Sequence, residues 1–138
     1  MPHETPITVD WGDTDAGGLI YYPRFFHFVI VGLNDYFAPA TDGEHPMESY
    51  RREGYVLPAV DASASFHSPL RAGDEAVIET TVVDSGSASL TVAFAVARAE
   101  TGDPVADGEV SFVFVDDSFD ATPLPEELRE CIRERGDD

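Results

Sequence analysis

The stretch that most restricts this chain runs from Phe25 to Phe37. Phe25, Phe26, Phe28, Val29, Ile30, Val31, Leu33, Tyr36 and Phe37 point in nearly every direction around a helical axis. Pro23 precedes them as a first helical residue, where its missing N–H is no loss, and Pro39 stops the helix beyond Phe37. A helix apolar on all sides is buried on all sides. In a chain of 138 residues, a curved sheet wrapped around that helix achieves this.

The rest of the sequence supplies the strands. Ile7, Val9 and Trp11 alternate with Thr8 and Asp10, the period of a half-buried strand. Further strands are expected over Val56 to His67, Ala76 to Val83, Leu90 to Ala97 and Val110 to Val115, joined by short turns at Gly86 and Thr101-Gly102-Asp103. Short turns between successive strands favour antiparallel pairing. Two short helices are expected, one at Pro46 to Glu53 ending on Gly54, one at Pro125 to Arg135 with acids early and arginines late. The expected architecture is α+β: strand, long buried helix, then four strands, forming one domain over residues 1–138. No internal repeat or low-complexity tract interrupts it.

Charge narrows the function. There are 27 Asp and Glu against 8 basic residues, all of them Arg, for a formal net charge of -19. The acids are spread from Glu4 to Asp138, and so much self-repulsion reads as adaptation to high salt, where the Debye length is about 3 Å near 1 M. Phosphates of a nucleic acid would be repelled. The absence of Lys removes the P-loop and Schiff-base chemistries. Cys131 is the single cysteine, which excludes an internal disulfide and a Cys/His metal cluster. Residues 1–6 lack the pattern of a signal peptide, and the longest apolar run, Phe25 to Leu33, is too short to span a bilayer. A cytoplasmic protein that needs no metal or redox cofactor is expected.

The chemistry is concentrated in Trp11-Gly12-Asp13-Thr14-Asp15-Ala16-Gly17-Gly18-Leu19-Ile20-Tyr21-Tyr22-Pro23-Arg24-Phe25-Phe26. Two acids sit in a glycine-rich turn that leads directly into a helix start. Helix starts offer unpaired N–H groups and partial positive charge, suited to polarising a carbonyl. A carboxylate beside such donors can attack an acyl carbon or activate water. An EF-hand frame from Asp13 fails, since Gly17 falls on a ligand position and Arg24 stands where a bidentate Glu is needed. An aspartyl-phosphate phosphatase would want a Lys. Residue chemistry alone leaves two readings open: a catalytic turn, or Asp and Gly acting only as good turn formers.

The same segment resembles the N-terminal signature of the 4-hydroxybenzoyl-CoA thioesterase family of the hotdog superfamily: an aromatic residue, G-D-x-D-x-x-G, an apolar pair, an aromatic-Tyr pair and the central helix. Weaker resemblance continues through Arg52-Glu53-Gly54-Tyr55-Val56-Leu57-Pro58 and Ser68-Pro69-Leu70-Arg71-Ala72-Gly73-Asp74. Gly17 departs from it, standing where Ala is frequent. The resemblance implies a hotdog fold, a curved antiparallel sheet around one long helix, and hydrolysis of an acyl-CoA to a carboxylic acid and CoA. It places the catalytic carboxylate on Asp15 and an oxyanion-facing backbone N–H on Tyr22, with Gly18, Tyr21 and Pro23 beside the substrate. Asp13 falls on an acid whose role is structural. It also implies a homodimer or homotetramer whose subunits build the site between them. Tyr21 and Trp11 are expected as core or acyl-pocket walls, and His27 and His67 as structural groups. Arg24, Arg51, Arg52, Arg71 and Arg98 are candidates for the CoA phosphates, each equally explicable as a partner of nearby acids. Two alternatives remain: a hydratase or dehydratase acting on acyl thioesters, which would pair a carboxylate with a His, and a non-catalytic acyl-thioester-binding protein.

Overall fold

The computed structural model describes residues 2–137. In chain order the elements are β1 (His3–Thr8), a 3-10 turn (Trp11–Asp13), α1 (Arg24–Phe37), a second 3-10 turn (Ala38–Thr41) and α2 (Pro46–Arg52). There follow β2 (Tyr55–Val56), β3 (Ala59–Phe66), β4 (Glu75–Ser85), β5 (Ser89–Arg98), β6 (Pro104–Val113), β7 (Val115–Asp116) and α3 (Glu126–Glu134). Five strands form one antiparallel sheet in the order β1-β4-β5-β6-β3, and β2 pairs with β7 in a separate two-stranded ladder.

Alternation explains which face the sheet buries. Ile78 and Val82 on β4, Leu90, Val92, Phe94 and Val96 on β5, and Val110 and Phe112 on β6 all lie in the core, with their sequence neighbours partly exposed. They meet Phe25, Phe28, Val29, Leu33, Tyr36 and Phe37 of α1. Register shifts at Val82/Asp84, Val96/Ala97 and Ala59/Asp61 mark bulges, which bend and twist strands as a wrapped sheet requires. Helix and sheet approach closely at Gly32, where a Cβ would lie 2.5 Å from Thr80 Oγ1.

Several expectations change in detail. Pro23 is the N-cap of α1 and not its first helical residue. The first strand ends at Thr8, and Trp11 opens a 3-10 turn with 85% of its surface exposed; it is neither core nor a pocket wall within the subunit. The strand expected over Val56 to His67 is split at Leu57 and Pro58, because Val56 pairs with β7 while β3 pairs with β6. β6 begins at Pro104, earlier than hydrophobic alternation indicates, because Asp107 and Gly108 interrupt the pattern. There Gly108 is required: a Cβ would lie 2.0 Å from the Ser63 carbonyl oxygen of β3. Cys131 is buried, because α3 packs Leu128, Cys131 and Ile132 into the core.

The sheet does not enclose α1. Ile30 and Val31 remain 36% and 37% exposed, and His27 also faces solvent. No helix among the described residues is long and apolar enough to cross a membrane.

Candidate active site

The glycine-rich segment closes as a small hairpin. Thr14 and Ile20 form an antiparallel bridge, the Asp15 N–H donates to Leu19 O at 2.8 Å, and the Tyr21 N–H donates to Asp13 O at 2.9 Å. Gly18, at φ +79°, supplies the left-handed corner, and its N–H donates to Asp15 O at 3.0 Å. Gly18 therefore offers the turn itself and not a spare donor. The returning strand runs straight into α1, so Asp15 and Tyr22 are carried on the two sides of one hydrogen-bonded loop.

The two acids differ sharply. Asp13 is buried, with Oδ2 accepting the Asp10 N–H at 2.9 Å and Oδ1 accepting Arg24 Nε at 2.5 Å. Burial alone would raise its pKa. The Arg24 hydrogen bond, the Asp10 N–H and the Arg24 charge together outweigh burial and hold the carboxyl below its ordinary range. Both of its oxygens are committed to local structure.

Asp15 is exposed, and its only side-chain hydrogen bond among the described residues is from the Gly17 N–H to Oδ1, at 2.8 Å. That bond fixes the plane of the carboxylate and leaves Oδ2 open. An Ala at position 17 would bring its Cβ to 3.2 Å from Oδ1, a tight but adjustable contact.

At the helix start, the Arg24, Phe25 and Phe26 N–H groups bond back to the Tyr21, Tyr22 and Pro23 carbonyls. Pro23 has no N–H to give. The Tyr22 N–H has no acceptor among the described residues, so the free donor at this helix start belongs to Tyr22. The exposed Tyr22 ring lies 4.7 Å from Phe66 of β3, which in turn lies 5.3 Å from Phe25. Tyr21 is also exposed.

No histidine is hydrogen-bonded to Asp15 among the described residues. His27 lines a concavity of about 240 Å³ with Asp13 and Arg24, and His67 bonds Asp107 at 2.8 Å. Of the arginine candidates, Arg24, Arg51, Arg52 and Arg98 pair with Asp13, Glu48, Glu44 and Asp74 respectively. Among the described residues no cluster of three or more His, Cys, Asp or Glu side chains is arranged to hold a metal.

The model of the thioesterase-like superfamily matches residues 9–132, spanning the hairpin, α1, α2, every strand after β1 and most of α3. The chain belongs to the thioesterase-like superfamily. Among solved structures it is similar to a 1,4-dihydroxy-2-naphthoyl-CoA thioesterase from Synechocystis, at 18% identity and TM-score 0.87 over 100% of both chains. It is also similar to a gentisyl-coenzyme A thioesterase, at 22% identity and TM-score 0.82, covering 94% of this chain and 99% of that one. A Staphylococcus aureus protein solved in complex with CoA matches at 14% identity and TM-score 0.81, over 97% and 83%. Curated protein sequences give no match. These likenesses establish the fold: this member of the superfamily is a hotdog, with its five-stranded antiparallel sheet packed on α1. The hairpin with Asp15 lies within the matched region, at the N-terminal end of the central helix.

Proposed function

We propose that the protein is a cytoplasmic acyl-CoA thioesterase in which Asp15 is the catalytic carboxylate and the Tyr22 N–H faces the thioester oxygen. The observation that carries this reading is the pairing of an oriented carboxylate, open at Oδ2, with an unpartnered backbone donor across one rigid loop. In the general-base form, Asp15 Oδ2 takes a proton from water as the water oxygen attacks the acyl carbon. Charge gathers on the carbonyl oxygen facing Tyr22 N–H and the positive end of α1. The C–S bond then breaks, and the proton on Asp15 passes to the departing thiolate, giving the acid and free CoA. In the nucleophilic form, Asp15 attacks the carbon itself, the thiolate leaves, and water cleaves the resulting anhydride. A single turnover in heavy-oxygen water distinguishes the two, since attack of water on the aspartyl carbon of that anhydride labels Asp15.

The reading includes a second copy of the chain. β3 is an edge strand paired only with β6; Val60 and Phe66 are 63% and 43% exposed, and Asp61 is its one charge. The opposite edge, β1, carries Pro6 and Glu4, which discourage pairing. An unprotected edge beside the exposed side chain of Tyr22 favours a homodimer, or a tetramer built from it, whose β3 strands lie together close to the Tyr22–Phe66 contact.

The decisive assay is thiol release from short-chain, long-chain and aromatic acyl-CoAs in multimolar KCl. Turnover of at least one class is expected, and absence of turnover across the panel would leave a binding protein. The lyase reading gains no support from His27, which lines a concavity with Asp13 and makes no hydrogen bond to Asp15 among the described residues.

A further inference from the structure

Eight arginines face 27 carboxylates in this chain, so an unpaired guanidinium is an exception that needs a reason. Four arginines hold the acids named above. Arg133 pairs with Glu126, Arg129 donates to the Gly86 and Ser87 carbonyls, and Arg135 donates to the Tyr36 carbonyl. Among the described residues, only the Arg71 guanidinium has no ion pair or hydrogen bond, and it is exposed.

We infer that Arg71 is the phosphate contact for the coenzyme A part of the substrate, an assignment that rests on the thioesterase reading above. Its freedom is built into the fold. Arg71 opens a turn closed by the Asp74 N–H donating to Arg71 O at 3.0 Å, with Gly73 at φ +89°. The acid of the same turn is Asp74, and its Oδ2 already accepts the Arg71 backbone N–H at 2.8 Å and Arg98 Nη1 at 3.3 Å. That carboxylate is committed to the backbone and to the other arginine.

The turn is fastened to both ends of the catalytic hairpin. On the entering side, the Gly73 N–H donates to Val9 O at 2.8 Å and the Val9 N–H to Asp74 O at 2.9 Å. On the returning side, the Ile20 N–H donates to Leu70 O at 2.8 Å, and Leu70 is fully buried. Arg71 thus projects from a backbone fixed relative to Asp15 and Tyr22. CoA carries a pyrophosphate and a 3′-phosphate, and on a surface of net charge -19 these anions need a local cation. A guanidinium offers the forked donors that suit phosphate, and such a short-range contact persists when salt screens the distant carboxylates.

The test compares an acyl-CoA with the same acyl group on pantetheine, which lacks all the phosphates, in fixed KCl. Arg71→Ala is expected to raise KM for the acyl-CoA by about 10-fold or more with kcat little changed, the scale of one charge-assisted hydrogen bond. Arg71→Lys should recover part of that loss, and kinetics on the acyl-pantetheine should be the same in all three proteins. An unchanged KM for the acyl-CoA in Arg71→Ala overturns the assignment. So does an equal rise in KM for both substrates, since that would mean Arg71 shapes the site and does not read phosphate. If the wild type hydrolyses neither thioester, the thioesterase reading itself fails and the assignment falls with it.

Discussion

Tyr36 Oη donates a 2.7 Å hydrogen bond to Asp137 Oδ2, and both residues are buried although 101 positions separate them. The Val82 N–H donates to the same oxygen at 3.3 Å, and Arg135 lies 4.5 Å over the Tyr36 ring. The end of the chain is thereby bolted to α1 and β4. Tyr36→Phe keeps the ring and removes a donor from a buried carboxylate. It should lower stability by about 1.5–3 kcal/mol, measured by urea unfolding at constant KCl. An unchanged midpoint would mean that Asp137 is satisfied without Tyr36.

The same contact sets an alkaline limit. Burial, then the hydrogen bond and charge of Asp137, push the Tyr36 hydroxyl well above its ordinary value of 10.0. The unfolded chain can ionise Tyr36 above that value while the folded chain cannot, so its contribution is intact below pH 10.0 and is lost as pH rises further. Wild-type melting temperature should fall more steeply above that point than that of Tyr36→Phe.

Gly32 and Thr80 give a sign test. In an open helix, Gly→Ala stabilises by about 1 kcal/mol. Here the new Cβ would lie 2.5 Å from Thr80 Oγ1, a buried hydroxyl without a partner among the described residues. Overpacking of this kind costs about 1–3 kcal/mol, so Gly32→Ala should destabilise. Thr80→Val removes a desolvated, unpaired hydroxyl at nearly equal volume and should be neutral or stabilising by up to about 1 kcal/mol. Chemical denaturation of both variants checks the pair of signs.

Asp13→Asn should lower stability more than turnover. Because the folded pKa of Asp13 lies below its ordinary value of 3.8, its contribution is complete above that pH and is lost as pH falls through the folded value. The difference in melting temperature between wild type and Asp13→Asn should therefore be constant near neutrality and shrink in acid below 3.8. A difference that persists unchanged to low pH would place the effect elsewhere.

Much of this was legible in residue order. The run from Phe25 to Phe37 announced a central helix, and alternation located β4 and β5 closely. Alternation begins β6 only at Val110 because Asp107 and Gly108 interrupt it, whereas Gly108 is there to admit β3. Alternation misplaces Trp11 because it cannot show that the chain leaves the sheet after Thr8. The Gly-Asp turn is visible as chemistry, and the family resemblance gives Asp15 the catalytic role and Asp13 a structural one, but residue chemistry alone does not divide them. Only the fold reveals that Asp13 has both oxygens engaged while Asp15 has one held by Gly17. The free state of Arg71 was equally invisible, since nothing in its local sequence says that Asp74 is taken by Arg98.

The acidic composition carries its own prediction. With 27 acids against 8 arginines, screening should relieve repulsion in the folded state more than in the expanded one. Melting temperature should rise by several degrees or more as KCl is increased into the molar range. A flat or falling midpoint would separate the composition from salt adaptation.

The central claim is that Asp15 supplies the catalytic carboxylate. Asp15→Asn keeps the size of the side chain, leaves an Oδ1 acceptor for the Gly17 N–H and removes the charge. The direct test is kcat of this variant against wild type on the best acyl-CoA, with circular dichroism and light scattering confirming equal folding and assembly. A fall in kcat of about 10²-fold or more, with KM little changed, is the predicted result. Near-native turnover in a correctly folded Asp15→Asn protein would contradict the account.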